Sequence, residues 1–152
     1  MTLAQVNALD EASFVRLLGG IYEHSPWVAQ RAFAQRPFAS VAALHAAMNG
    51  VVARASEAEQ LALLRAHPEL AGKAAVRGEL TADSTQEQSG AGLTACSPAE
   101  YEALTTLNRR YVAKFGFPFI LAVKGYDRAG VIAEFARRVE HDRASEMAEC
   151  LA

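Results

Sequence analysis

Residues 97–116, SPAEYEALTTLNRRYVAKFG, carry the pattern that decides the fold. Ser97, Pro98 and Glu100 form a capping-box pattern with proline at the first helical position, which predicts where a helix begins. Gly116 is the residue type that most often ends a helix in the left-handed conformation. Between these ends, large apolar residues recur at helical spacing and predict one buried face, made of Tyr101, Leu104, Leu107, Tyr111 and Phe115. The stretch therefore predicts a long amphipathic helix.

Helix signals of the same kind occur before this stretch. Four residues are predicted as N-caps because each precedes a helical pattern: Asp10, Ser25, Ser40 and Ser56. The first of these helices has a predicted buried stripe of Phe14, Leu17, Leu18 and Ile21. The helix that follows Ser56 is expected to end at His67, because Pro68 disfavours the helical conformation of the residue before it.

After the central stretch, Asp127 is a predicted N-cap for one last long helix, whose buried residues are expected to be Val131, Ile132, Phe135 and Val139. Residues 119–123 are apolar enough for a strand, but the sequence has no second strand pattern to pair with them. We predict that they form an extended or helical buried segment. The prediction for the whole chain, residues 1–152, is a single compact all-α domain.

Composition restricts the class of protein. The chain has 152 residues, of which 51% are hydrophobic and 21% charged, with a formal net charge of -2. These values exclude intrinsic disorder and argue against a nucleic-acid or anionic-membrane partner, which would require a basic surface. Cys96 and Cys150 are too few for a disulfide scaffold or a cysteine-built zinc site. With no signal-peptide pattern in Met1–Asp10, we predict a soluble, cytoplasmic protein.

His67 is the first candidate for chemistry. A histidine at the C-terminal end of a helix lies where the helix dipole favours the protonated imidazolium. The alternative is that His67 only ends the helix.

Glu87 is the second candidate, and it also has two interpretations. Ser84 and Glu87 form a capping-box pattern, so the carboxylate is able to serve the helix alone. An ionised Glu87 placed beside His67 would instead raise the pKa of the histidine and orient its ring. The other histidines carry weaker signals, and His141 lies in a charged stretch that is typical of a solvated surface. No metal-ligand spacing or nucleophile motif occurs, so no metal site is predicted.

Five short motifs follow one another between residues 67 and 120: HPELAGK at 67–73, STQEQ at 84–88, AGL at 91–93, LN at 107–108 and KFGFPFI at 114–120. Each motif is short, but their order and spacing are specific. Together they resemble the OHCU decarboxylases, which act on 2-oxo-4-hydroxy-4-carboxy-5-ureidoimidazoline.

The resemblance implies an all-α, cofactor-free homodimeric enzyme of urate degradation that converts its small-molecule substrate to (S)-allantoin and CO2. It implies that His67 and Glu87 are catalytic. It also implies that substrate is bound by Pro68 and by the run Ser84, Thr85, Gln86, Glu87 and Gln88. A second run is expected to contact the ring and the ureido group, largely through backbone atoms: Phe119, Ile120, Leu121, Ala122 and Val123.

Two other functions stay open from the residues alone. One is a small helical binding module, in which His67 and Glu87 serve only as helix stop and cap. The other is a different cofactor-free lyase or hydrolase that acts on a ureide.

This sequence departs from the family pattern near its C-terminal end. The resemblance implies that relatives carry a substrate-contacting arginine beyond the segment that matches Ser145–Ala148. Here no basic residue follows Arg143, which predicts weaker substrate binding or a shortened form.

Overall fold

The computed structural model describes residues 1–70, 89, 92–93 and 96–151. Within these ranges the regular elements are helices and no strand is present, which confirms the all-α prediction. In chain order the helices are α1 Leu3–Asn7, α2 Glu11–Leu18, α3 Trp27–Phe33, α4 Val41–Ala53, α5 Glu57–Ala66, α6 Pro98–Phe115, α7 Arg128–Arg138 and α8 Arg143–Leu151. None of the described helices is long and apolar enough to cross a membrane.

The chain divides into two compact units, one formed by Met1–Ala66 with Leu151 and one formed by His67–Cys150. In the first unit, Phe14 of α2 is fully buried and packs its ring against Phe33 at 5.5 Å and Phe38 at 6.2 Å between ring centroids. The predicted stripe on α2 is confirmed for Phe14 and for Leu18, which is partly buried against the same core, and is wrong for the other two residues. Leu17 is 43% exposed, and Ile21, 59% exposed, lies outside the helix because α2 ends at Leu18 before two glycines.

The predicted N-caps of the first unit are confirmed in three of four cases. The side chains of Asp10 and Ser40 accept hydrogen bonds from backbone N–H groups three residues on, at 2.7 and 3.0 Å. Ser56 and Glu59 form the two reciprocal bonds of a capping box. The prediction for Ser25 is wrong, because α3 begins one residue later than expected. Pro26 therefore occupies the cap position, and proline has no side-chain acceptor.

In the second unit, α6 begins and ends as predicted. Ser97 and Glu100 form a complete capping box, and Gly116 adopts a φ of 79°, which is the left-handed conformation that glycine tolerates best. Most of the predicted stripe is buried, namely Leu104, Leu107, Tyr111 and Phe115. Tyr101, in the first turn, is 40% exposed.

The helix predicted to follow Asp127 is confirmed as α7, but it is not the last, because the unpredicted helix α8 follows it. Asp127 caps α7 as expected, accepting a hydrogen bond from the N–H of Gly130 at 2.7 Å. Lys114 donates to the carbonyl of Val139 at 2.8 Å and so satisfies one acceptor at the end of α7. Asp142 then accepts from the N–H of Ser145 at 2.9 Å at the start of α8.

Candidate active site

His67 is the residue immediately after α5, so the local structure predicted for it is confirmed. Its side chain is half-buried, as is that of Pro68, whereas Leu70 is buried. The helix ends at Ala66, directly before the histidine. The catalytic role of His67 stays a prediction.

Asn108 attaches the turn after His67 to helix α6. It is 5% exposed, and its Nδ2 donates a hydrogen bond to the carbonyl of Leu70 at 2.9 Å. Its Oδ1 is also buried, and within the described part of the chain it has no hydrogen-bond donor. The sequence signal for this role is a polar residue next to Leu107 on the apolar face of α6.

Residues 118–123 are neither helix nor strand, which rules out the helical conformation that was one of the two predicted for residues 119–123. Phe119 is buried, and its ring stacks on Phe135 at 3.9 Å and meets Tyr111 edge-on at 5.4 Å between ring centroids. Val123 is buried at the other end, where its carbonyl accepts a hydrogen bond from Tyr126 at 3.0 Å. The three residues between them are half-buried or exposed. The middle of the segment is therefore the part that a ligand is able to reach.

Helix α6 holds both of these segments. Asn108 binds the turn that follows His67, and Tyr111 packs against Phe119. Residues three apart lie on the same face of a helix, with Cβ atoms roughly 5–6 Å apart. Two of the predicted site segments are thus attached to one face of α6 within a single helical turn. The third lies outside the described residues: Ser84, Thr85, Gln86, Glu87 and Gln88.

Behind Phe119 lies a buried polar cluster, which we call the Arg138 cluster: Tyr111, Arg138, His141, Glu146 and Cys150. Arg138 is 3% exposed and Glu146 is fully buried. Arg138 Nε and Nη2 donate to the same carboxylate oxygen of Glu146, at 2.9 and 2.6 Å, and the Tyr111 hydroxyl donates to that oxygen as well. His141 Nδ1 lies 3.0 Å from the other oxygen of Glu146. Both carboxylate oxygens are therefore bound.

The hydrogen bonds of His141 define its tautomer. Arg137 has only donors and lies 2.9 Å from His141 Nε2, so Nε2 acts as the acceptor. The proton of the neutral ring then lies on Nδ1 and is donated to Glu146. The expectation that His141 is a solvated surface residue is wrong, because its ring is held between these two partners.

The cluster shifts the pKa values of its acids in opposite directions. Burial opposes ionisation of Glu146, but hydrogen bonds from Arg138 and Tyr111 outweigh it and lower the pKa of the carboxyl group. Burial raises the pKa of the Tyr111 phenol, and the bonds to Cys150 and Glu146 raise it further. Burial also raises the pKa of the Cys150 thiol. The native cluster therefore holds an ionised Glu146 with a neutral phenol and a neutral thiol.

These shifts predict that stability falls at alkaline pH. Unfolded Tyr111 and Cys150 lose their protons near their ordinary pKa values of 10.0 and 9.0, whereas the folded groups keep them. The contribution of these two groups to the free energy of unfolding is complete below about pH 9. It is lost as pH rises, by up to about 1.4 kcal/mol per pH unit for each group. The check is urea unfolding between pH 8 and 11. Tyr111→Phe should flatten the slope, and an identical slope in the variant would contradict the prediction.

Three side chains near Arg138 bring atoms of the kind that bind metals close together. One such atom from each lies within 4.8 Å of the other two, and the residues are His141, Glu146 and Glu149. The guanidinium of Arg138 already lies 2.6 Å from Glu146 and 3.7 Å from Glu149. A metal cation would have to share these carboxylates with a buried positive charge. Glu146 and Glu149 are therefore better described as anions neutralised by Arg138 than as ligands of a metal centre.

Comparison with known proteins identifies the family. Residues 7–152 match the OHCU decarboxylase family. The chain belongs to this family. It is 47% identical to the 2-oxo-4-hydroxy-4-carboxy-5-ureidoimidazoline decarboxylase of Haloferax volcanii, over 99% of this chain and 88% of that protein.

Two further relatives extend the comparison. The uric acid degradation bifunctional protein of Bacillus subtilis is 39% identical over 99% of this chain, which spans 30% of that longer protein. A crystal structure of (S)-allantoin synthase superimposes with a TM-score of 0.76 at 30% identity. That match covers 99% of this chain, which spans about half (49%) of the crystallised one. The sequence resemblance to OHCU decarboxylases is thus confirmed, and so is the fold that it implied.

Proposed function

We propose that this chain is a carboxy-lyase that removes CO2 from 2-oxo-4-hydroxy-4-carboxy-5-ureidoimidazoline and yields (S)-allantoin during urate degradation. The observation that carries the proposal is membership of the OHCU decarboxylase family over residues 7–152. The attachment of the His67 turn and of residues 119–123 to one face of α6 supports it, because a binding site needs both segments in fixed positions.

The reaction has two steps that the protein must control. The bond from the ring carbon to the carboxylate breaks, CO2 leaves, and the electron pair enters the conjugated ring system, where carbonyl and imine groups accept it. A proton is then added to one face of the ring, which fixes the S configuration. Because the substrate is its own electron sink, the chemistry requires stabilisation of the developing charge and one placed proton donor.

We assign the proton donor to His67. Its half-buried ring follows α5 directly, and it occupies the position that the family resemblance implies to be the catalytic histidine. Glu87 has two possible tasks in the proposal: it repels the departing carboxylate, or it polarises the hydroxyl group while it orients His67. Backbone groups in the accessible middle of residues 119–123 bind the ring and the ureido group.

Replacement of Glu87 by glutamine separates catalysis from capping. Glutamine completes a capping box as well as glutamate does, so we expect the far-UV circular dichroism to stay unchanged. Glutamine has no charge, so we expect turnover to fall at least tenfold. Steady-state kinetics of the variant check this. Full turnover would assign Glu87 to helix capping alone.

The proposed activity is tested with freshly prepared products of urate oxidation. Spontaneous decay of the substrate gives racemic allantoin, so catalysed formation is followed as a growing circular dichroism signal. We expect the purified chain to produce optically active (S)-allantoin faster than the uncatalysed reaction. A racemic product formed at the uncatalysed rate would overturn the proposal and leave a helical binding module or another ureide-directed enzyme.

We also propose the domain organisation, the oligomeric state and the cellular location of the protein. Residues 1–152 form one OHCU-decarboxylase domain, supported by a family match that includes both compact units. The protein acts as a homodimer, as the resemblance implies. It acts in the cytoplasm, and the two free thiols of Cys96 and Cys150 suit a reducing compartment.

A further inference from the structure

Arg138 uses its whole guanidinium group inside the protein. Nε and Nη2 donate to Glu146, Nη2 also lies 3.1 Å from the Cys150 sulfur, and Nη1 donates to the carbonyl of Ile120 at 2.9 Å. A planar fork with five donors is able to bind partners in several directions at once, which a single ammonium group cannot do. Arg138 thus joins α7 and α8 to the middle of residues 119–123.

Arg138 contacts two consecutive residues of this segment. The carbonyl of Ile120 accepts the hydrogen bond from Arg138 Nη1. The preceding residue is held as well, because the Arg138 guanidinium carbon lies 4.7 Å from the centroid of the Phe119 ring. A cation over an aromatic face in a buried site adds to the packing of that ring.

The two residues that follow Ile120 are accessible to a ligand. Leu121 is half-buried and Ala122 is exposed, and they lie between two carbonyls that already accept hydrogen bonds within the protein, those of Ile120 and Val123. The backbone groups of Leu121 and Ala122 are therefore better placed to meet a ligand than the bound carbonyl of Ile120.

We infer that Arg138 is a positioning residue for substrate binding, which holds the Ile120 carbonyl so that the backbone of Leu121 and Ala122 faces the ring and the ureido group of the substrate. The inference rests on the proposed function, because contact between residues 119–123 and substrate is implied by family resemblance. Arg138 itself is not proposed to touch the ligand, since it is 3% exposed and each of its three nitrogens donates to a protein atom.

Arg138→Lys tests the inference in the full chain. Lysine keeps the positive charge beside Glu146, but its single ammonium cannot also span to Ile120. We expect KM to rise about tenfold, which corresponds to 1.4 kcal/mol. We expect kcat to change less than threefold, because a contact made equally in the ground and transition states affects KM alone. The matched control is Arg110→Met, which removes an exposed arginine paired with Glu140 and should leave KM unchanged.

A second measurement does not depend on activity. The carbonyl ¹³C chemical shift of Ile120, measured by NMR without substrate, should change in Arg138→Lys because the carbonyl loses its guanidinium donor, whereas carbonyl shifts of exposed residues within α6 should stay as in the unmodified chain. An unchanged Ile120 carbonyl shift overturns the inference, and so does an unchanged KM in an active, folded variant. If the unmodified chain forms no optically active allantoin, the proposed function fails first, and the carbonyl shift still tests whether Arg138 holds Ile120.

A double variant protects the test against a failure of Arg138→Lys to fold. Arg138→Met combined with Glu146→Leu removes both buried charges together, and such replacements are often neutral for stability. The Ile120 carbonyl then has no guanidinium donor, so we expect a folded protein with the same rise in KM. A folded double variant with the KM of the unmodified chain would show that Arg138 is only structural.

Discussion

His67→Asn is expected to lower the rate of (S)-allantoin formation at least a hundredfold while the helical circular dichroism signal stays intact. Asparagine has a similar size and keeps hydrogen-bonding atoms, but it cannot carry a proton to the ring. Loss of a placed general acid typically costs between about 100-fold and 10,000-fold in rate. Because His67 follows the last residue of α5 and is only half-buried, the substitution leaves the helices in place. Initial rates of the change in optical activity are the measurement.

His45→Asn is the matched control, because His45 is an exposed histidine on α4. It should keep the full rate and the full helical signal. The prediction for His67 is contradicted if His67→Asn turns over within a fewfold of the unmodified chain. In that case the proton comes from another group, and the role of His67 reduces to ending the helix.

The helix ends were predictable because their chemistry is local. A cap such as Ser97 with Glu100 depends on hydrogen bonds between residues three apart, so the sequence contains every participant. Gly116 is predictable for the same reason, since its left-handed conformation is a property of one residue. The error at Ser25 shows the limit of this logic, because a shift of one residue moved the cap to a proline.

The Arg138 cluster was not predictable by the same logic. The side chains of charged residues are almost always exposed unless they are paired. The sequence therefore predicts that Arg138 and Glu146 lie on the surface as long as their pairing is not known. Their pairing joins two helices, and the sequence does not show that the chain turns between them. One signal was present, since Val131, Phe135 and Arg138 follow the spacing of a single helix face, which places the arginine on the buried side of α7. In the candidate site, the positions of His67 and of residues 119–123 were anticipated, whereas the role of Asn108 was not.

Glu146→Gln is expected to destabilise the protein by about 3–5 kcal/mol, because breaking a buried ion pair leaves an uncompensated charge. Glutamine preserves the shape of the side chain, but Arg138 then loses its buried counter-ion, and the nearby carboxylate of Glu149, at 3.7 Å, is exposed. For a chain of this length the loss corresponds to a fall in Tm of roughly 10 °C or more. Thermal unfolding followed by circular dichroism at pH 7 provides the measurement.

The control for Glu146→Gln is Glu140→Gln, which removes a carboxylate from an ion pair with Arg110 in which both side chains are more than half exposed. Exposed pairs contribute about 0–1 kcal/mol, so the control should unfold close to the unmodified chain. The difference between Glu146→Gln and the unmodified chain should also depend on pH. Because the folded pKa of Glu146 is lowered, its contribution is complete above the ordinary value of 4.5 and disappears as pH falls below it. Equal Tm values for the two proteins at pH 7 would show that the buried pair contributes no net stability.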